Sequence, residues 1–223
     1  LPYYPYLHGG NLPHRLSKNP LLCRIIFKYA FCNISPSIYL KDSFEEHGYK
    51  VKYIPNYIDI EKYNFKLRSN CKPKLLWVRS FHKIYNPEMV ISVFYELTKN
   101  YEDIELCMIG PDKDGSFENC KKIAKKLNII NKINFPGALS KNKWTDLSSD
   151  YDIFLNSTNF DNMPVSIIEA MALGFPIIST NVGGIKFLLK NNVDALLIDP
   201  KDNIAMIEKI NLLINSPNLC LKL

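Results

Sequence analysis

A chain of 223 residues that is 47% hydrophobic and 22% charged has the composition of an ordered globular protein, which excludes global disorder. The formal net charge of +6 is spread over scattered lysines (Lys121, Lys122, Lys125, Lys126, Lys141, Lys143), with no recognition motif beside them. This sets nucleic acid aside and leaves anionic small molecules, acidic glycans or a lipid surface as partners. No apolar run approaches the ~20 residues of a membrane span, and the opening residues lack the basic-then-apolar layout of a signal peptide, so the expected location is the cytosol. Cys23, Cys32, Cys71, Cys107, Cys120 and Cys220 form no C-x-x-C pair and mostly sit in apolar runs. They read as buried free thiols in a reducing compartment.

In chain order, the pattern predicts a helix over 21–31, a short strand over 33–35, a helix over 37–47 and a strand over 51–54. Pro55-Asn56-Tyr57 reads as a turn, and the polar stretch 61–73 has the composition of a linker. From Lys74 onward, strands are predicted over 75–78, 104–109, 133–135, 151–155, 176–180 and 195–198. Helices are predicted between and after them over 87–100, 117–127, 143–148, 165–173, 184–190 and 203–214. This alternation predicts parallel βαβ units with helices on both faces, a doubly wound α/β sheet over 74–223. Residues 1–60 hold two or three βα units, too few to close a sheet. They are expected to be the tail of a second α/β domain, incomplete in this chain.

In such sheets ligands bind beyond the carboxyl ends of the strands, and the chemistry-bearing residues fall there. Arg79 and Lys83 follow the strand at 75–78, Gly110-Pro111-Asp112 follows 104–109, Gly137 follows 133–135, and Asn156 to Met163 follows 151–155. Pro164 suits the first turn of the next helix. The amides from Val165 to Ile168, with the helix dipole, would favour a phosphate. Glu169, one turn in, could reach a ligand over the helix start, and Asp161 could accept from hydroxyls beyond the phosphates. Two carboxylates spanning an anion site suit a nucleotide sugar. On spacing alone, Glu169 reads equally as an exposed helix residue and Asp161 as a loop or capping residue. Arg79 and Lys83 also read as surface charges. Gly183-Gly184 reads as a tight turn or as a close approach to ligand, and Trp77 and Trp144 as packing residues.

The run from Asp161 to Gly184, acid-x7-Glu with an EAMALG-P core and a following S-T-N-V-G-G, resembles the nucleotide-sugar domain of retaining glycosyltransferases of family 4, within the glycosyl transferases group 1. Arg79-Ser80-Phe81-His82-Lys83, Met108-Ile109-Gly110-Pro111, Phe135-Pro136-Gly137 and Ile54-Pro55-Asn56-Tyr57-Ile58-Asp59 are similar to further elements of that family, in its order. His8-Gly9-Gly10-Asn11 looks like its active-site histidine loop. The resemblance implies a two-Rossmann GT-B fold and transfer of a hexosyl group, with retention, from a nucleotide-diphosphate sugar to a glycan or lipid-linked acceptor in surface polysaccharide biosynthesis. No metal or other cofactor is implied.

It also implies roles. Glu169 would hold the ribose, Asp161 would contact the transferred sugar, Arg79 and Lys83 would neutralise the diphosphate, and His8 would face the reacting centre. Gly110, Gly137, Asn162, Met163, Val165 and Ser166 would line the donor. Asp161 stands where Glu is usual, Asp-Asn-Met-Pro where Glu-Gly-Phe-Gly is common, and Asn56-Tyr57 where Asn-Gly is. Fewer than 60 residues precede the interdomain signature, so the chain is expected to be truncated at its N-terminus, with a longer sequence or a separate chain supplying the remaining half. Peripheral contact with the inner face of the membrane goes with a lipid-linked acceptor. Two alternatives stay open: a non-catalytic nucleotide-sugar-binding remnant or subunit, and a sugar-nucleotide epimerase of the same architecture.

Overall fold

The computed structural model describes residues 2–8 and 12–223. It divides into two compact units: 1–57 with the segments 160–165 and 183–188, and 58–159 with 166–182 and 189–223.

In the first unit, the helices include α1 (Leu12–Lys18), α2 (Pro20–Phe27), α3 (Ile38–Glu46) and a single turn at Ile185–Leu188, where a longer helix over 184–190 was expected, with strands β1 (Asn33–Ser35) and β2 (Val51–Tyr53) paired in parallel. Tyr6 adds a single parallel bridge to Ile34. The Ser37 side chain caps α3 by accepting from Leu40 N, which satisfies one of the orphan amides of the first turn. Leu7, Leu16, Cys23, Phe27, Leu40 and Phe44 form the core, with the Phe27 and Phe44 rings edge-on at 4.9 Å. The single helix expected over 21–31 ends at Phe27, and the seven residues of α1 before it were not anticipated. Pro20, lacking an N–H, opens a new helix instead of extending the one before it.

The second unit is a six-stranded, wholly parallel sheet in the order β5-β4-β3-β6-β7-β8. Its strands are β3 (Lys74–Val78), β4 (Glu105–Ile109), β5 (Ile133–Gly137), β6 (Ile153–Asn156), β7 (Ile177–Thr180) and β8 (Leu196–Ile198). Consecutive residues of β3, β6 and β7 are buried, as expected for strands covered on both faces. The helices are α4 (Pro87–Leu97), α5 (Ser116–Lys126), α6 (Lys141–Leu147), α7 (Val165–Ala172), α8 (Asn203–Asn215) and α9 (Pro217–Lys222). On α5, Cys120 and Ala124 turn inward while Lys122, Lys125 and Lys126 are exposed, so these three lysines belong to a solvated helix face. Trp77 is 1% exposed and donates to Ser157 Oγ at 3.1 Å, a packing residue as expected.

All six cysteines are free, and all but Cys32 are buried. Within the stretch 61–73, Tyr63, Arg68 and Cys71 are buried. Arg68 donates to the carbonyls of Tyr151 (3.0 Å), Leu173 (2.6 Å), Lys66 (3.1 Å) and Ser148 (3.3 Å), with its guanidinium carbon 3.4 Å from the Phe175 ring centroid. Burial lowers its pKa to about 10. Arg68 thus satisfies backbone carbonyls inside the fold.

Candidate functional site

From β3 the chain runs outward to β4 and β5, then crosses to β6 on the other side of β3 and runs outward again. The strand order therefore reverses between β3 and β6, and the crevice that such a switch creates opens at their carboxyl ends. Arg79 is the first residue beyond β3, and Ser157 the first beyond β6. The two loops are tied together: Ser157 Oγ donates to Tyr85 O at 2.8 Å, Asn159 N to Ile84 O at 2.7 Å and Asn159 Nδ2 to Lys83 O at 3.2 Å.

Here a cavity of about 260 Å³ is lined by side chains and backbone from Arg79, Tyr85, Gly110, Leu139, Trp144 and Ser166, among others. The Arg79 guanidinium lies over the Tyr85 ring at 4.3 Å. Burial lowers the Arg79 pKa, and Tyr85 opposes that shift. Gly110 donates its N–H to Gly137 O at 2.9 Å, joining the loops after β4 and β5. A Cβ on Gly110 would strike Arg79 O, so only glycine lets the loops after β3 and β4 meet. Ser166, on the first turn of α7, is 8% exposed, and its Oγ has no hydrogen-bond partner among the described residues. Larger grooves of about 690 and 670 Å³ lie away from the carboxyl ends of the strands, one beside α6 and the 62–68 segment and the other at the starts of β3, β4 and β5.

Of the remaining residues expected in this unit, Lys83 has an exposed side chain, and its N–H donates to Asp114 Oδ2 at 3.0 Å. Gly137 precedes Ala138, which lines the cavity. Glu169 is not an exposed helix residue. It is 8% exposed, accepts from the Tyr63 hydroxyl at 2.8 Å and pairs with Lys141 at 3.0 Å, both through Oε1.

The other expected residues lie in the first unit. Asp161 Oδ1 accepts from Asn162 N at 2.9 Å. That amide is therefore engaged by a side chain, and it is not among the amides from Val165 to Ile168 that were expected to serve a phosphate. Asn162 Oδ1 is buried without a hydrogen-bond partner among the described residues. Met163 O accepts from Asn56 Nδ2 at 3.0 Å, which gives the asparagine of the Ile-Pro-Asn run a structural task. Val165 is 38% exposed. Gly183 and Gly184 do more than turn the chain: Cβ atoms there would fall 2.1 Å from Asp161 O and 1.7 Å from Asn162 O, and Gly184 N donates to Asp161 O at 2.8 Å. His8 is exposed and stacks on Tyr6 at 4.3 Å. Gly9, Gly10 and Asn11 of the same expected loop lie outside the described residues. Among the described residues, no group of three or more His, Cys, Asp or Glu is placed to hold a metal ion.

Tyr85, Leu139, Trp144, Tyr63 and Lys141 were not anticipated at the site. Lys141 opens α6, two residues before the helix expected over 143–148, so the sequence pattern left no signal for it either.

Residues 59–223 match the model of the family described as glycosyl transferases group 1. The chain belongs to that family. This group 1 glycosyltransferase chain is 30% identical over 140 residues to an uncharacterized glycosyltransferase of Haemophilus influenzae, covering 61% of this chain and 38% of that protein. It is 26% identical over 168 residues to the UDP-Gal:alpha-D-GlcNAc-diphosphoundecaprenol alpha-1,3-galactosyltransferase of Escherichia coli, covering 69% of this chain and 42% of that protein. The chain thus spans about two fifths of the length of these curated relatives. Among solved structures, Anabaena HepE in complex with UDP and glucose superposes with a TM-score of 0.84 at 17% identity, over 99% of this chain and 64% of that one. At that identity the likeness speaks to fold, and the parallel sheet of the second unit is that of a GT-B C-terminal domain.

Proposed function

We propose that the second unit binds a nucleotide-diphosphate sugar, and that the protein transfers the hexosyl group, with retention at the anomeric carbon, to a glycan or lipid-linked acceptor in the manner of family 4. The observation that carries this reading is the cavity at the switch point. It combines a cationic guanidinium, an unpartnered buried hydroxyl at the start of α7, and a glycine that lets the backbone approach.

In this reading the bond between the anomeric carbon and the diphosphate oxygen breaks, and its electron pair stays on the diphosphate. The acceptor hydroxyl forms the new bond and gives its proton to the departing diphosphate oxygen. Arg79, Lys83, the Ser166 hydroxyl and the α7 amides from Ser166 to Ile168 stabilise the charge that develops on the leaving group, a form of electrostatic stabilisation that needs no metal. The cavity walls from Gly110, Leu139 and Trp144 suit the apolar faces of a nucleoside. Glu169 accepts from ribose hydroxyls. The Escherichia coli relative, named for a diphosphoundecaprenol-linked acceptor, supports a lipid-linked acceptor, with the cytosolic location and peripheral membrane contact that go with it.

The test is calorimetric titration of the chain with UDP, GDP and their hexose conjugates, beside Arg79→Ala. Saturable binding weakened at least tenfold in Arg79→Ala is expected, given the strength of charge-assisted contacts to phosphate. Binding unchanged by that substitution would remove Arg79 from the diphosphate site, and no binding by the folded wild type would remove the function.

A further inference from the structure

Two donors already converge on the carboxylate that is expected to meet the ribose. Tyr63 reaches Glu169 Oε1 with its hydroxyl at 2.8 Å, and Lys141 reaches the same oxygen with its ammonium at 3.0 Å. The Lys141 ammonium also lies 5.0 Å from the Tyr63 ring centroid, so the three side chains form one cluster. Oε2 makes no hydrogen bond among the described residues, and the Glu169 side chain keeps 11% of its surface exposed.

Burial raises the Tyr63 pKa, and contact with the Tyr63 hydroxyl, with Glu169 adding, raises that of Lys141. At neutral pH the phenol therefore keeps the proton it donates, and the ammonium keeps its charge. A free glutamate would lose rotamer entropy on gripping a ligand. Here that freedom is already restricted, and the pairing offsets the unfavourable placement of a lysine at the head of α6.

We infer that Tyr63 and Lys141 are positioning residues for Glu169, holding Oε1 so that Oε2 is left as the acceptor for the vicinal hydroxyls of a nucleotide ribose. This rests on the ribose role proposed above for Glu169.

The experiment measures the affinity of the full chain for UDP and GDP, each against its 2′,3′-dideoxy counterpart, in wild type, Tyr63→Phe, Lys141→Met and Lys141→Arg. Wild type is expected to prefer the hydroxylated nucleotide. Tyr63→Phe and Lys141→Met are expected to cut that preference roughly five- to tenfold while leaving affinity for the dideoxy nucleotide unchanged, and Lys141→Arg to restore it. Equal losses for both nucleotides would reveal general damage to the fold and overturn the inference. Tighter UDP binding without Lys141 would also overturn it, because the lysine would then be a competitor of the ligand. A wild-type preference untouched by either variant sinks the inference and leaves the ribose role standing. A wild-type chain with no preference removes that role and the inference together.

Discussion

Gly110 is held by its neighbours more tightly than any chemical role would require. Its φ of +153° is open to glycine and strained for other residues, and a methyl group there would strike the Arg79 carbonyl. Gly110→Ala is expected to destabilise the second unit by roughly 3 kcal/mol, read as a lower denaturant midpoint. A midpoint within error of wild type would mean that the loops after β3 and β4 can part. Asp114, a few residues on, shapes the Lys83 turn. Its pKa is lowered from 3.8, first by the Lys83 N–H and then by the Ser116 hydroxyl. A lowered folded pKa adds stability that is present above the ordinary carboxylate value and lost as pH falls through the native one. The difference in Tm between wild type and Asp114→Asn should therefore be flat from about pH 7 to 5 and close below about pH 4. A difference that stays constant to pH 3 would show that the carboxylate charge does not hold the turn.

Among the elements, the strands and helices of the second unit were legible because their burial follows the local sequence period: β6 and β7 are short apolar runs, and α5 alternates buried Cys120 and Ala124 with exposed lysines. The site was legible to the same depth. Arg79, Gly110 and Ser166 could be placed because each directly follows a strand or opens a helix. Tyr85 and Trp144 could not, because they reach the cavity only through the order in which the strands assemble, which no local pattern encodes. The contacts of Arg68 within the 61–73 segment were not legible for a related reason. Arg68 looks solvated among its sequence neighbours, but three of its acceptors lie 80 to 105 residues away. Arg68→Ala would leave those carbonyls without their donor and is expected to cost about 3 kcal/mol, measured by urea unfolding. A loss below about 1 kcal/mol would mean that water replaces the guanidinium.

At the scale of the molecule, charge is unevenly distributed along the chain. Residues 1–41 contain no Asp or Glu. In the first unit, Leu21, Leu22 and Ile25 of α2 are exposed, with Tyr29 just beyond the helix, close in sequence to Arg15, Lys18, Arg24 and Lys28. Apolar and cationic side chains in this arrangement suit an anionic lipid surface, in keeping with a lipid-linked acceptor. The chain is expected to sediment with vesicles containing phosphatidylglycerol and not with neutral ones, and Ile25→Asp is expected to release it. Equal recovery with both vesicle types, or with neither, would count against the contact.

The central claim concerns the second unit, and a crystal structure of the chain with UDP tests it most directly. Density for the diphosphate within hydrogen-bonding distance of Arg79 and Ser166, with the ribose on Glu169, is the expected result. A diphosphate lodged instead in the groove beside Lys62 and Lys66, with the cavity at the carboxyl ends of β3 and β6 left empty, would contradict it.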